Sequence, residues 1–416
     1  MNERLRADAE AIVRAAIDAV KPEAAVQRAL RAVCLSGRVY LVAVGKAAWR
    51  MADAAVRRLE TPVAGGVVVT KYGHAAGEIP GVACFEAGHP VPDENGFRAT
   101  RAALELTEGL TAEDTVLFLL SGGGSALFEQ PLIDAAELRD ITQQLLASGA
   151  DITEINTIRK RLSAVKGGRF ARWCAPARIE AVILSDVLGD PVDMIASGPA
   201  AADPSTCAQA FAVAEKYALR LSAAAHACLA RETPKTAENV HAQVIGSVRE
   251  LCAAAAQTCA ALGYEPVYLT DRLACEAREA GRFLAAIARS HAGGKKLAFL
   301  AGGETVVHVT GKGLGGRNQE LALAAAEGLR GLRNAAVVSV GSDGTDGPTD
   351  AAGGYADGDT LDSLREQGYD LYSILHENDA YHALAAVGGL IRTGPTGTNV
   401  NDISLVLCGG AADHSE

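Results

Sequence analysis

At 416 residues and 49% hydrophobic content, the chain is long enough for two domains with sizeable cores. Its 50 acidic against 39 basic residues give a net charge of -11, which excludes nucleic-acid binding by bulk attraction but leaves room for a small anionic substrate held by local cations. Nine cysteines contain no C-x-x-C pair, so neither a zinc ribbon nor a disulfide framework is indicated, and a reducing compartment fits.

The opening MNERLRADAEAIV has no signal-peptide core, and no later run is long enough to cross a bilayer, so a cytoplasmic protein is expected. Leu5, Ala9, Ile12, Val13, Ala16, Ile17 and Val20 fall at the spacing of an amphipathic packing helix. Residues 39–44, VYLVAV, read as a buried strand followed by Gly45, Lys46 and a helix over 47–59. A cation in a first helical turn opposes the dipole by about 0.3–1 kcal/mol unless an anion lies between them. Lys46 is therefore a candidate partner for an anionic ligand, the alternative being a side chain that simply points to water. Further strands are expected over 67–70 and 82–85, the second leading into a Pro-bracketed loop where the role of His89 stays open.

The central stretch is TVLFLLSGGGSALF, residues 115–128. Its apolar run reads as a strand covered on both faces, inside a parallel sheet. Ser121, Gly122, Gly123, Gly124 and Ser125 then form a loop whose glycines can turn N–H groups inward at positive φ between two hydroxyls. Such a loop suits a phosphate or carboxylate, or is a tight turn without a ligand.

A helix over 134–147 is followed by Asp151 and Glu154, spaced as a capping box. The helix this box opens is basic at its exit: Arg159, Lys160, Arg161, Lys166, Arg169 and Arg172, with Arg159 and Lys166 placed on one face. The run could attract an anion or form a solvated face. A strand over 179–184 ends in SDVLGDPVDMIASGP, where Asp186, Asp190 and Asp193 could hold Mg²⁺, orient a hydroxyl or cap a turn. An Ala-rich helix over 208–230 then gives way to RETPKTAEN, which sets the expected domains at 1–237 and 238–416. Strand, helix and strand follow, then a long helix over 274–291.

The second half holds KLAFLAGGETVVHVTGKGLGGRNQELALAAA: a strand, a turn at Gly302 to Glu304, a strand over 306–310, a glycine loop over 311–316, and a helix opened by Arg317. Arg317 is a second cation set against a dipole, which favours an anionic ligand. Gly311, Gly313 and Gly316 match G-x-G-x-x-G, but Thr305, His308 and Thr310 in the preceding run suit an antiparallel arm rather than a buried first strand. The acidic residue expected about twenty positions later is also missing. Asp343, Asp346 and Asp350 follow another buried strand outside any EF-hand register and suit Mg²⁺. Thr396, Thr398, Asn399 and Asn401 precede the final strand and could bind ribose, phosphate or a hydroxyl, or close a turn. A P-loop, a protein-kinase catalytic loop, a G-x-S-x-G elbow and an H-E-x-x-H motif are all absent.

The ordered set VGKA, LLSGGGSAL, IRKRLSAVKGGR, LSDVLGDP with ASGP, GGETVV, GGRNQELAL, GSDGTDG and GPTGTNVND lies within a match that runs over about residues 44–406. It resembles the class II glycerate kinases, also called glycerate 2-kinases, whose carboxyl-terminal domain is the MOFRL domain. The resemblance implies an α/β protein, with a Rossmann-like α/β/α amino-terminal domain, a smaller α/β carboxyl-terminal domain and an active site in the cleft between them. It implies transfer of the γ-phosphoryl of ATP to the 2-hydroxyl of D-glycerate, with Mg²⁺ or another divalent cation, giving 2-phosphoglycerate and ADP. The family's key cations fall on Lys46 and Arg317. Asp186, Asp190 and Asp343 are candidates for accepting the hydroxyl proton or holding the metal, with Asp186 assigned to catalysis and Asp190 and Asp343 to the metal. Ser121, Gly122, Gly123, Gly124, Ser125, Glu304, Asn318, Thr398 and Asn399 are the candidate contacts to substrate and phosphate. D-glycerate and a nucleotide are the expected partners, with no nucleic acid, no membrane, and a monomer or homodimer. Some relatives carry the name hydroxypyruvate reductase, so NAD(P)H-dependent reduction is the competing activity. Non-catalytic binding of a small acid is the third reading.

Overall fold

The structure, a computed structural model, describes residues 1–33 and 35–410. The chain divides into two compact units, one of Pro22–Ile245 and one of Met1–Lys21 with Gly246–Glu416. Each has its own six-stranded sheet.

The first sheet contains β1 (Val39–Val44), β2 (Gly65–Lys71), β3 (Val82–Ala87), β4 (Thr115–Leu120), β5 (Arg178–Leu184) and β6 (Val240–Gly246), in the order β3-β2-β1-β4-β5-β6. From β3 through β5 all pairings are parallel, with Val42 facing Val67 on one side and Phe118 on the other. Alternate residues of β1 serve opposite cores, which is why VYLVAV is apolar without a break. Leu41 and Ala43 join Met51 and Ala52 of helix Ala48–Arg58 and Val26 of helix Pro22–Ala29. Val42 and Val44 join Ala99 and Ala103 of helix Glu94–Leu106 and Phe170 of helix Arg169–Cys174. From β1 the chain moves outward to β2 and β3; from β4 it moves the opposite way to β5. The order therefore reverses between β1 and β4, where open α/β sheets place a binding crevice at the carboxyl edge.

The Asp151 capping box forms as expected at helix Ile152–Leu162. That helix stops before Lys166, so Arg159 and Lys166 do not share a helical face. The basic run is not a solvated surface either. Lys160, Arg161 and Lys166 are buried, and their partners are Asp193 with Asp203, Ser205 with Glu232, and Glu129 respectively. The Ala-rich stretch is two helices, Cys207–Lys216 and Ala223–Leu229, because Ala218 at φ 47° breaks it and Ser222 caps the second.

In the other unit the sheet order is β11-β10-β9-β12-β8-β7, from β7 (Glu265–Leu273), β8 (Leu297–Gly303), β9 (Ala335–Gly341), β10 (Gly353–Asp357), β11 (Leu390–Ile391) and β12 (Asp402–Cys408). Only β7 and β8 run parallel. Helices Ala277–His291 and Arg317–Leu329 pack on a core of Phe299, Val337 and Val406. Helix Glu3–Ala19 belongs to this unit, not to the one that follows it in sequence. It packs on helix Val248–Ala261 and on β9 and β12. The backbone N–H of Asn2 donates to Asp357 (2.7 Å), Tyr264 donates to Asp8 (2.7 Å) and Thr398 donates to the Val20 carbonyl (2.9 Å).

Residues 306–310, expected as a strand, form only a single bridge from Val306 to Glu276. Val306 and Val309 are 59% and 75% exposed while Val307 packs against the core, and among the described residues no neighbouring strand pairs with the segment beyond that bridge. Among the described residues no helix is long and apolar enough to cross a membrane.

Candidate active site

Two loops meet at the switch point of the first sheet. After β1, Gly45 (φ 121°) turns the chain, and Lys46 and Ala47 precede helix Ala48–Arg58. Lys46 therefore lies outside the first turn, in the bend ahead of it. After β4 come Ser121, Gly122 and Gly123 (φ 87°), then the short helix Gly124–Leu127.

The loops are tied backbone to backbone. Lys46 N donates to Gly122 O (2.9 Å), and Ser121 N donates to Val44 O (2.9 Å). Ala47 N donates to Ser121 Oγ (3.0 Å), so the Ser121 hydroxyl joins the two loops. A Cβ at Gly45 would lie 2.2 Å from that hydroxyl, which explains the glycine. Among the described residues the Lys46 ammonium has neither an ion pair nor a hydrogen bond.

The remaining glycines fit the turn closely against chemistry-bearing side chains. A Cβ on Gly122 would lie 2.1 Å from Asp186 Oδ2, and one on Gly123 would lie 3.0 Å from His89 Cδ2 and 3.2 Å from Lys46 Cγ. Asp186, Lys46 and His89 thus converge on the SGGGS turn. Burial, followed by the charges of Lys46, Lys71 and His74, holds His89 below the usual histidine range, so it is neutral at pH 7. Ser125 Oγ is 2.9 Å from Ser197 Oγ, which donates to Asn156 (2.8 Å). Gly123→Ala should combine backbone strain with displacement of His89 and Lys46, lowering kcat/KM at least about 10-fold for about 1 kcal/mol of stability. Steady-state kinetics beside urea denaturation separates the two effects.

Of the three aspartates after β5, Asp193 is taken by Lys160 (3.1 Å). Asp190 sits at φ 55° with a buried Oδ1 that lacks a hydrogen-bond partner. Such an orphaned carboxylate oxygen fits a cation. Among the described residues no three His, Cys, Asp or Glu side chains form a group able to hold a metal, so any ion here would draw the rest of its shell from phosphate and water.

Beside this turn lies a pocket of about 280 Å³, with polar lining from His89, Gly123, Ser125, Glu129, Arg139 and Arg159 and apolar walls that include Leu138 and Leu146.

In the other unit, Arg317 opens its helix with no side-chain cap from Gly316. Its Nε and Nη2 donate to Asp402 at 2.5 and 2.9 Å, a bidentate pair, and Nη1 is 3.2 Å from Glu304. Asp346 accepts from the backbone of Asn318 (3.2 Å) and Gln319 (2.9 Å) at the helix start. These carboxylates answer the unfavourable dipole, so Arg317's placement does not by itself demand a ligand. Burial pushes Asp402 up to about 6 despite Arg317. A carboxyl raised in the folded state contributes stability at low pH that is lost as pH rises through about 6. Stability assigned to Asp402 should therefore fall by about 3 kcal/mol between pH 4 and 7. Asp402→Asn should flatten that part of the slope in urea denaturations.

Asn318 is buried between Asp346 and Ser339, and Thr398 donates to Val20, so both side chains have partners within the protein. Asn399 accepts from Asn401 N (3.4 Å) in the loop before β12. The expected metal trio separates: Asp343 accepts from Thr345 N (3.0 Å), Asp346 caps the helix, and Asp350 binds Tyr381 and Arg392. Gly311 and Gly313 of the apparent dinucleotide motif press on the chain at 377–379, where a Cβ would lie 2.2 Å from Glu377 Cα and 2.5 Å from Asp379 Cβ. They are close-packing glycines and follow no strand. Asp402 was given no role from sequence, although a lone carboxylate opening the apolar strand DISLVLC was the available signal.

Residues 8–230 match the family described as Domain of unknown function (DUF4147), and residues 297–402 match the MOFRL family. A Thermotoga maritima protein named D-glycerate 2-kinase is 52% identical over 412 residues, covering 97% of this chain and 99% of its own. A relative from Agrobacterium vitis, 42% identical over 90% of this chain and 88% of its own, carries a hydroxypyruvate reductase label. The crystal structure titled glycerate kinase from Thermotoga maritima superimposes with a TM-score of 0.95 at 51% identity, covering 98% of this chain and all of that one.

Proposed function

The chain belongs to the class II glycerate kinase family, with its DUF4147 and MOFRL domains, and from that premise we propose that it phosphorylates D-glycerate at the 2-hydroxyl with ATP. The observation that carries this reading is the Lys46 ammonium, without a partner among the described residues, beside a glycine turn at the sheet's switch point. Phosphoryl transfer asks a protein for positioning and charge neutralisation rather than covalent chemistry.

The 2-hydroxyl oxygen forms a bond to the γ-phosphorus, the bond from that phosphorus to the β–γ bridging oxygen breaks, and ADP leaves. Asp186, against Gly122, accepts the hydroxyl proton. Lys46 neutralises charge on the transferring group, and Arg317, steadied by Asp402 and Glu304, supplies a second cation. Mg²⁺, which screens the phosphates when bound, would be held by Asp190 with phosphate oxygens completing its shell; Asp343 is the alternative ligand. That residues of both units serve one reaction rests on the family resemblance and is part of this proposal.

The reductase label of some relatives makes reduction of hydroxypyruvate the alternative, and the packing of Gly311 and Gly313 weighs against it. A coupled ADP-release assay with ATP, Mg²⁺ and D-glycerate, beside NADH oxidation with hydroxypyruvate, tests both. ADP release that depends on glycerate is expected. NADH oxidation without ADP release would sink the kinase reading.

A further inference from the structure

We propose that Arg159 binds the carboxylate of the acceptor acid in the pocket beside the SGGGS turn, so that this turn faces the acceptor rather than the nucleotide's phosphates. The inference rests on the glycerate reading above. Of the four residues Arg159, Lys160, Arg161 and Lys166, three are committed to buried partners, Lys160 and Arg161 to Asp203 and Lys166 to Glu129. Arg159 alone lines the pocket and makes no ion pair or hydrogen bond among the described residues. Its half-buried guanidinium is desolvated, with Glu129 its main favourable charge, and burial holds its pKa below the usual arginine range while leaving it a cation. A desolvated cation without a hydrogen bond is costly, and a bound anion is the natural compensation.

A second group points to the same ligand. Glu129 is buried; its Oε2 accepts from Lys166 (2.6 Å), while its Oε1 has no partner. That oxygen can accept one hydroxyl donor. The pocket thus offers a cation for a carboxylate and an acceptor for an alcohol, the two functions of a small hydroxy acid. Its volume of about 280 Å³ admits a three-carbon acid with room to spare. A triphosphate, with several charges to satisfy, fits poorly between the apolar walls at Leu138 and Leu146. The rim of the pocket is Gly123, whose absent side chain leaves contact distance to both His89 and Lys46 Cγ. An acid anchored at Arg159 therefore shares its pocket with Gly123, whose turn Lys46 borders.

The test uses the full chain in the ADP-release assay, with D-glycerate or its neutral amide, D-glyceramide, as acceptor. Wild type should use the acid at least about 10-fold better than the amide, as loss of a charged hydrogen bond implies. Arg159→Gln should raise KM for D-glycerate about 10- to 100-fold, leave KM for ATP unchanged and narrow the preference for the acid. Arg159→Lys should recover part of the loss. Wild-type turnover of glycerate combined with unchanged glycerate constants in Arg159→Gln, or a rise confined to KM for ATP, overturns the subsite and leaves the kinase reading standing. Equal use of acid and amide by wild type overturns it without reference to any variant. Absence of wild-type turnover with glycerate overturns both.

Discussion

Replacing Lys46 by alanine is expected to lower kcat/KM for D-glycerate by about 100- to 1,000-fold, the usual loss when one charge-stabilising group is removed from a transition state. Stability should hardly change. Among the described residues the ammonium has no ion pair or hydrogen bond to lose, and the structural part of the loop is carried by its backbone: Lys46 N to Gly122 O, and Ala47 N to Ser121 Oγ. Arginine at this position keeps the charge but adds bulk where a Cβ on Gly123 would already lie 3.2 Å from Lys46 Cγ, so only partial recovery is expected. Steady-state kinetics with urea denaturation on the same samples distinguishes a lost charge from a damaged fold. A Lys46→Ala enzyme with near-normal kcat/KM would remove the residue from the mechanism.

Arg317→Ala should be equally inactive and, unlike the lysine variant, less stable. Asp402 has a side chain only 5% exposed and would lose its bidentate partner, whereas the arginine side chain is 34% exposed and partly screened by solvent. Breaking a fully buried pair costs about 3–5 kcal/mol; with this screening the expected loss is about 2 kcal/mol at pH 7. Without Arg317 the Asp402 carboxyl is raised further, so its protonation relieves the unpaired charge and the deficit should shrink as pH falls towards about 6. Adding Asp402→Asn should restore most of the stability and none of the activity. A double variant that regains turnover would mean that Arg317 acts only by packing.

What the sequence made legible were features set by local rules. The unbroken apolar runs of β1 and β4, the Asp151 capping box and the glycine turn after β4 are each written in a few consecutive residues. Features set by distant partners were not. VVHVT has the composition of a strand, yet Val306 and Val309 remain exposed, and among the described residues no neighbouring strand pairs with the segment beyond one bridge. The amphipathic stripe of helix Glu3–Ala19 announces a packing face but not its destination, which is the unit at the far end of the chain.

The same limit governs the site. Lys46 and Arg317 look alike on paper, as cations at helix starts. The fold separates them: among the described residues Lys46 lacks a partner, while Asp402, Glu304 and Asp346 surround Arg317. Asp402 lies 85 residues from Arg317, beyond the reach of any local pattern. Within the basic run, composition gave no reason to single out Arg159, because Asp193, Asp203, Glu129 and Glu232, which neutralise its neighbours, come from scattered segments. Gly311 and Gly313 show the converse, a motif matched by spacing whose glycines serve packing against 377–379.

The position of the new phosphate tests the central claim most directly. The protein is incubated with ATP, Mg²⁺ and D-glycerate, and the product is read by proton-coupled phosphorus NMR. A phosphorus signal split into a doublet by the single proton on C2 is the predicted result, identifying 2-phosphoglycerate. A triplet from the two protons on C3, or no phosphorylated acid at all, would contradict the account.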